Sequence, residues 1–131
     1  MAFKLNKSVL RGTGEHKDMV FKMKRKELEN GIAGEANNDG TIFVNKNIKK
    51  GSPLEAEVVA HESDHMARME KGELGYTDND VSWRGKKYER KDGKIKYNGE
   101  WKEEGWKEFP WEKLAYKVGT KAKKEAEKKN T

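Results

Sequence analysis

His61-Glu62-Ser63-Asp64-His65 is the stretch of this chain whose residue types and spacing can do chemistry. It has the form H-E-x-x-H. On an α-helix, residues four apart lie on one face, offset by about 40° and about 6 Å along the axis. Two imidazoles so placed can hold one metal ion. The glutamate beside the first imidazole can reach a water on that metal and act as its general base. The remaining histidine, His16, has no partner at ligand spacing and reads as a surface residue.

Two histidines do not complete a zinc site, because a catalytic zinc takes three protein ligands and keeps one position open. The chain has no Cys, so no thiolate can be the third, and sites in which a Cys joins the histidine pair are excluded. The metzincin extension HExxHxxGxxH requires Gly at 68 and His at 71, where this chain has Arg68 and Lys71. The other common solution is a Glu on a later helix. Glu112 fits that role best, 47 residues after His65 and in the first turn of the last predicted helix. Glu108 is its nearest rival, and Asp78 or Asp80 would serve a site built with an aspartate.

These residues need elements to hold them. Ser52-Pro53-Leu54-Glu55 is a helix start: Ser52 suits the N-cap, Pro53 the first helical position, and Glu55 completes a capping box. The helix predicted from Pro53 to about Lys71, with Gly72 as its stop, carries HExxH in its middle, bracketed by Leu54, Val58, Val59, Met66 and Met69. Upstream, residues 32–36 and 41–48 flank Asn37-Asn38-Asp39-Gly40, which predicts a β-hairpin. Its second strand, around Ile42, Phe43, Val44 and Asn45, is expected to be a sheet edge beside the metal helix, to which an extended peptide can add. Met19 to Lys24 has strand character, and residues 24–30 read equally as a short helix. Downstream, turns at Arg84-Gly85-Lys86 and Lys91-Asp92-Gly93 predict a small hairpin from Trp83 to Tyr97, with its Trp and Tyr residues packing the core. Pro110 opens the last helix, with Trp111, Leu114, Ala115, Val118 and Ala122 as its apolar stripe, weakened by Gly119.

Val59-Ala60-His61-Glu62-Ser63-Asp64-His65 followed by Pro110-Trp111-Glu112-Lys113-Leu114-Ala115-Tyr116 resembles a small, single-domain gluzincin-type zinc metallopeptidase. Minimal zincins of this kind are common in bacteriophage genomes. The resemblance covers about residues 32–118, and HExxH is its specific part. It implies an α+β, zincin-like fold: a small, twisted, mostly antiparallel sheet packed on the HExxH helix, a second hairpin, and a C-terminal helix carrying the third ligand. It also implies that His61, His65 and Glu112 bind Zn2+ and that Glu62 activates water to cleave a peptide or protein substrate. Thermolysin-like members carry an Asp four residues after the ligand Glu to orient a zinc histidine. Tyr116 stands there in this chain, which leaves Asp64 as the candidate for that task. An oxyanion donor is also needed, for which Tyr76, Tyr88 and Tyr97 are the candidates.

Length and composition bound these readings. A chain of 131 residues predicts one catalytic domain over 1–120, followed by a solvated Lys- and Glu-rich tail, 121–131. With 33 % hydrophobic and 40 % charged residues, its core must be small and concentrated. No apolar run is long enough for a membrane span, and Ala2 to Lys7 is too polar for a signal peptide, so a cytoplasmic protein is expected, in the host cell if the gene is a phage's. A monomer is the default. The net charge of +6 raises a second reading, a nucleic-acid-binding module using the Lys-rich, aromatic segment 83–106. The interleaved Glu100, Glu103 and Glu104 argue against it. A third reading is a non-catalytic, zinc-binding interaction protein that keeps the zincin fold.

Overall fold

The structure, a computed structural model, describes residues 2–6 (backbone only), 22–29, 31–37 and 39–129. His16 and the predicted strand residues 19–21 lie outside them. In chain order the described residues form strands β1 (Ala2–Asn6), β2 (Lys22–Lys26), β3 (Ile32–Asn37) and β4 (Thr41–Asn45), and helix α1 (Pro53–Glu70). Strands β5 (Leu74–Tyr76), β6 (Asp80–Trp83), β7 (Lys86–Lys91), β8 (Lys94–Tyr97) and β9 (Glu100–Glu103) follow, then helix α2 (Pro110–Lys129). The class is α+β.

Helix α1 begins and ends where its sequence requires. The Ser52 side chain accepts the Glu55 N–H at 3.2 Å, and Pro53 occupies the first turn. Glu55 reaches back one residue further than a capping box predicts, accepting the Gly51 N–H at 2.9 Å. Its carboxylate also pairs with Arg25 of β2, which ties that strand to the helix start. At the other end, Glu73 N–H bonds to Arg68 O at 3.0 Å and Gly72 N–H to Met69 O at 3.1 Å. This Schellman closure needs the left-handed φ of +80° that Gly72 supplies. The buried residues of α1 are Val58, His61, Glu62, His65, Met66 and Met69, a repeat of three and four that defines one face. HExxH therefore occupies core positions of its helix.

The first sheet has the order β1-β3-β4-β2. The predicted hairpin is present: β3 and β4 pair antiparallel in the register Gly34↔Val44, Glu35↔Phe43 and Ala36↔Ile42. Gly40 supplies the left-handed turn residue, at φ +91°. Two expectations are corrected. The sheet is mixed, not mostly antiparallel, because β1 runs parallel to β3 and β2 parallel to β4. In addition, β4 is an interior strand. With β3 on one side and β2 on the other, Ile42, Phe43, Val44 and Asn45 have their backbone ladder filled and cannot add a peptide strand. Alternation marks a strand and its faces but does not say which other strands lie beside it.

The second sheet is an antiparallel meander of five strands, β5 through β9 in order, and so larger than the expected hairpin. Its last three turns place two successive residues at positive φ: Arg84-Gly85, Asp92-Gly93 and Asn98-Gly99. That is the two-residue turn whose twist matches flanking strands. Between this sheet and the helices lies an aromatic core. Phe109 stacks on Trp111 at 4.8 Å, and Tyr88, Tyr97 and Trp106 pack around them. Trp83 and Trp111 are buried, while Trp101 is exposed.

Helix α2 lies against α1 with Trp111, Glu112, Ala115 and Gly119 buried. The buried stripe is rotated from the predicted one, leaving Val118 exposed and putting Gly119 inside. A Cβ at Gly119 would sit 3.0 Å from the Glu57 carbonyl and 3.5 Å from His61 Cβ. The glycine thus sets how closely the two helices approach beside His61. The helix continues unbroken through the expected tail to Lys129. No helix among the described residues is long and apolar enough to cross a membrane.

Candidate metal centre

The antiparallel run of α2 past α1 brings Glu112 onto the two histidines. Its Oε1 lies 2.9 Å from His61 Nε2 and 3.2 Å from His65 Nε2, and its Oε2 is also 3.2 Å from His65 Nε2. The ring planes of His61 and His65 cross at 84° with centroids 4.9 Å apart. One donor atom from each of the three residues fits within 4.8 Å, and all three residues are buried. Tetrahedral donors at about 2.0–2.1 Å from one ion stand about 3.3–3.4 Å apart. The two Glu112–His distances, 2.9 and 3.2 Å, stand within a few tenths of an ångström of that spacing. His, His and Glu is also a donor set that zinc accepts.

Glu62 projects from α1 toward the sheet. Its carboxylate is fully buried, and neither oxygen has a hydrogen-bond partner. It lies under the β3 backbone at Gly34, where a Cβ would meet Glu62 Oε2 at 3.1 Å and Val58 Cγ1 at 2.6 Å. Strand β3 is held over the site by Tyr76, whose hydroxyl donates to the Ala36 carbonyl at 2.8 Å. A buried carboxylate without a partner is costly, which drives this group toward its neutral form.

The electrostatics of the four groups are coupled. Burial raises the Glu62 pKa well above the carboxylate range; Glu112 and Glu35 add to this, and His65 opposes it. Burial works against ionising Glu112 as well, but His65 and His61 outweigh it and hold its pKa at about 2. For His65, burial opposes the charge, and Glu112 overcomes it by proximity and hydrogen bonding, lifting the pKa to about 9. Burial lowers the pKa of His61, which the hydrogen bond to Glu112 only partly offsets. Two imidazolium rings this close repel, so the charge is favoured on His65, beside Glu112, and disfavoured on His61.

The rival ligands are elsewhere. Glu108 is exposed and pairs with Lys113 at 3.3 Å, and Asp78 and Asp80 belong to the turn around Thr77. Asp64 does not orient a histidine; its carboxylate accepts from Arg68 Nε at 3.0 Å. Of the tyrosines considered as oxyanion donors, Tyr76 gives its hydroxyl to Ala36, while Tyr88 and Tyr97 stack in the aromatic core. The tyrosine beside the centre is Tyr116. Its ring meets His61 edge-to-face, with centroids 4.6 Å apart and planes at 87°. Burial, with Glu112 and Glu62 nearby, pushes its phenol up to about 12. The i+4 spacing from Glu112 was the available signal for it. Gly34 and Gly119 carry no chemistry, and nothing in the sequence marked them as part of the centre.

No protein-family model matches the chain, and no curated protein or solved structure is detectably similar to it.

Proposed function

We propose that the protein is a zinc-dependent metallopeptidase with a zincin-type centre. The observation that carries this reading is the convergence of His61, His65 and Glu112 around one point, with an unpartnered, buried Glu62 carboxylate on the same helix face. His61, His65 and Glu112 would hold the ion, which when bound supplies Lewis acidity to the scissile carbonyl and to the attacking water. Glu62 takes the proton from that water as its oxygen adds to the carbonyl carbon. It then delivers the proton to the amine as the C–N bond breaks. Burial keeps its pKa above the usual carboxylate range, the direction that a group accepting and returning a proton near neutrality requires.

Metal analysis of the purified protein, with a casein or mixed-peptide cleavage assay, tests this. One zinc per chain is expected, with cleavage lost on chelation and restored by zinc. Glu62→Gln should keep the zinc and lose the cleavage; full activity in that variant would show that Glu62 is not the base. The complete burial of all four groups also fits a closed, non-catalytic zinc site. Stoichiometric zinc without cleavage of any peptide would favour that second reading. The nucleic-acid reading of residues 83–106 is weakened, since Trp83 is buried and Tyr88, Tyr97 and Trp106 pack against the core, leaving Trp101 as the exposed ring.

A further inference from the structure

Three successive turns of α2 close on one side chain, His61. Glu112, Tyr116 and Gly119 fall within an arc of about 60° on that helix. At the tip of the imidazole, Glu112 Oε1 lies 2.9 Å from Nε2. At the ring, Tyr116 stands edge-to-face, with centroids 4.6 Å apart and planes at 87°. At the base, Gly119 leaves room, since a Cβ there would lie 3.5 Å from His61 Cβ. The His65 ring bounds a further side, at 4.9 Å and 84°. Both ring distances are near the short end of the range of about 4.5–7 Å over which aromatic rings pack edge-on. The imidazole is therefore held at its tip, its ring and its base.

One of these holds does not survive metal binding. Nε2 can donate to Glu112 only while it carries a proton, whereas a ligating imidazole offers a lone pair at that atom. The hydrogen bond that aims the ring in the metal-free protein is then lost, and the contacts at ring and base remain. We propose that Tyr116 is a positioning residue, whose ring holds the His61 imidazole so that Nε2 points at the place where the three ligands converge. The inference rests on the metal centre of the reading above. Ligating histidines are commonly oriented by a hydrogen bond to a carboxylate or carbonyl. Here Glu62 and Glu112 already put two carboxyl groups into the core, and a third would be costly to bury in its charged form. A ring contact orients the imidazole without adding charge.

The test uses the full-length protein, stripped of metal and reloaded. Zinc affinity is read by competition with a chromophoric chelator, and ligand geometry by the visible bands of the Co2+-loaded protein. Tyr116→Phe keeps the ring and should match wild type in both. Tyr116→Leu should weaken zinc by roughly 10–100-fold, the loss typical when a ligand's supporting partner is removed, and should change the cobalt bands. Tyr116 is half-buried, so the variant should fold; Tyr116→Met is a second ringless variant expected to behave alike. Leu114→Ala is the control for a general loosening of α2. Leu114 packs against the core but lies about 160° round the helix from Glu112. Its truncation should lower the thermal transition and leave zinc affinity and the cobalt bands unmoved. Wild-type affinity and bands in the ringless variants would overturn the proposal. So would an equal loss in Tyr116→Phe, which would put the effect in the hydroxyl, or an equal loss in Leu114→Ala. Wild-type protein that takes up neither metal would sink the centre and this proposal with it. Zinc uptake without cleavage of any peptide would sink the peptidase reading alone, so the failures are separable.

Discussion

Gly34→Ala is the substitution that most directly probes how the sheet positions Glu62. The added methyl would lie 2.6 Å from Val58 Cγ1 and 3.1 Å from Glu62 Oε2. Carbon atoms in contact stand about 3.5–4.0 Å apart, so strand and helix must separate by roughly 1 Å. Val58 cannot rotate away, because a β-branched side chain in a helix is confined to essentially one χ1 rotamer, and this one is fully buried. Overpacking of this kind costs about 1–3 kcal/mol. For a domain of this length, each kcal/mol moves the melting temperature by roughly 3–5 °C. Glu62 sits one turn beyond Val58 and must move with it. A displacement near 1 Å can cost about 100-fold in turnover. Thermal denaturation and kcat on a cleaved peptide are the assays, with zinc content measured alongside. The same change in a Val58→Ala background removes the blocking methyl, so Gly34→Ala should then cost much less. If Gly34→Ala lowers the melting temperature equally in both backgrounds, or leaves it and kcat unchanged, the close approach of β3 to Glu62 is not what the geometry implies.

Three further outcomes are expected. Glu112→Ala should weaken zinc by more than the roughly 10–100-fold typical of outer-shell changes. It should also destabilise the metal-free protein by about 3–5 kcal/mol, because it strands a buried histidine; competition with a chromophoric chelator and denaturant unfolding measure the two effects. Metal-free protein should be most stable near pH 5–6 and lose stability toward pH 9. His65 is raised from 6.5 to about 9 in the fold, so its contribution is complete below 6.5 and lost as pH passes about 9. That contribution is on the order of 3 kcal/mol. Glu112, held at about 2, gives its contribution above 4.5 and loses it only as pH falls toward 2. Because zinc displaces the His65 proton, the rise in melting temperature on adding zinc should grow from pH 6 to pH 9; a constant increment would contradict this proton assignment. Tyr76→Phe should cost about 1–3 kcal/mol by leaving the Ala36 carbonyl without its donor. Turnover should fall with it, since β3 loses its anchor over Glu62.

Much of the centre was legible because its signals are local. His61, Glu62 and His65 share a face by helical arithmetic alone, and Ser52, Pro53 and Gly72 bound that helix through the backbone chemistry of its ends. Glu112 could be singled out by its place in a first turn, though only the fold brings it to 2.9 Å from His61. The Asp39-Gly40 turn marked a hairpin on the same grounds. In the second sheet, Asn98-Gly99 is as good a turn signal as Asp92-Gly93, and reading it would have extended the expected hairpin toward the meander.

The rest depended on what lies across each face. Periodicity states which side of an element is buried and is silent about the partner there. So β4, the best strand by pattern, was expected at an edge, whereas β2 and β3 enclose it. Val118 looked like a core residue by type, yet Gly119 is buried, because contact with Glu57 and His61 needs an absent side chain rather than an apolar one. Asp64 was the obvious orienting carboxylate by proximity in the chain, but a favourable i,i+4 pair with Arg68 claims it. Tyr116 takes the place beside His61. The sequence by itself determined which residues could bind a metal and move a proton. Only the tertiary structure decided which of them meet, because that depends on contacts between segments that share no local signal.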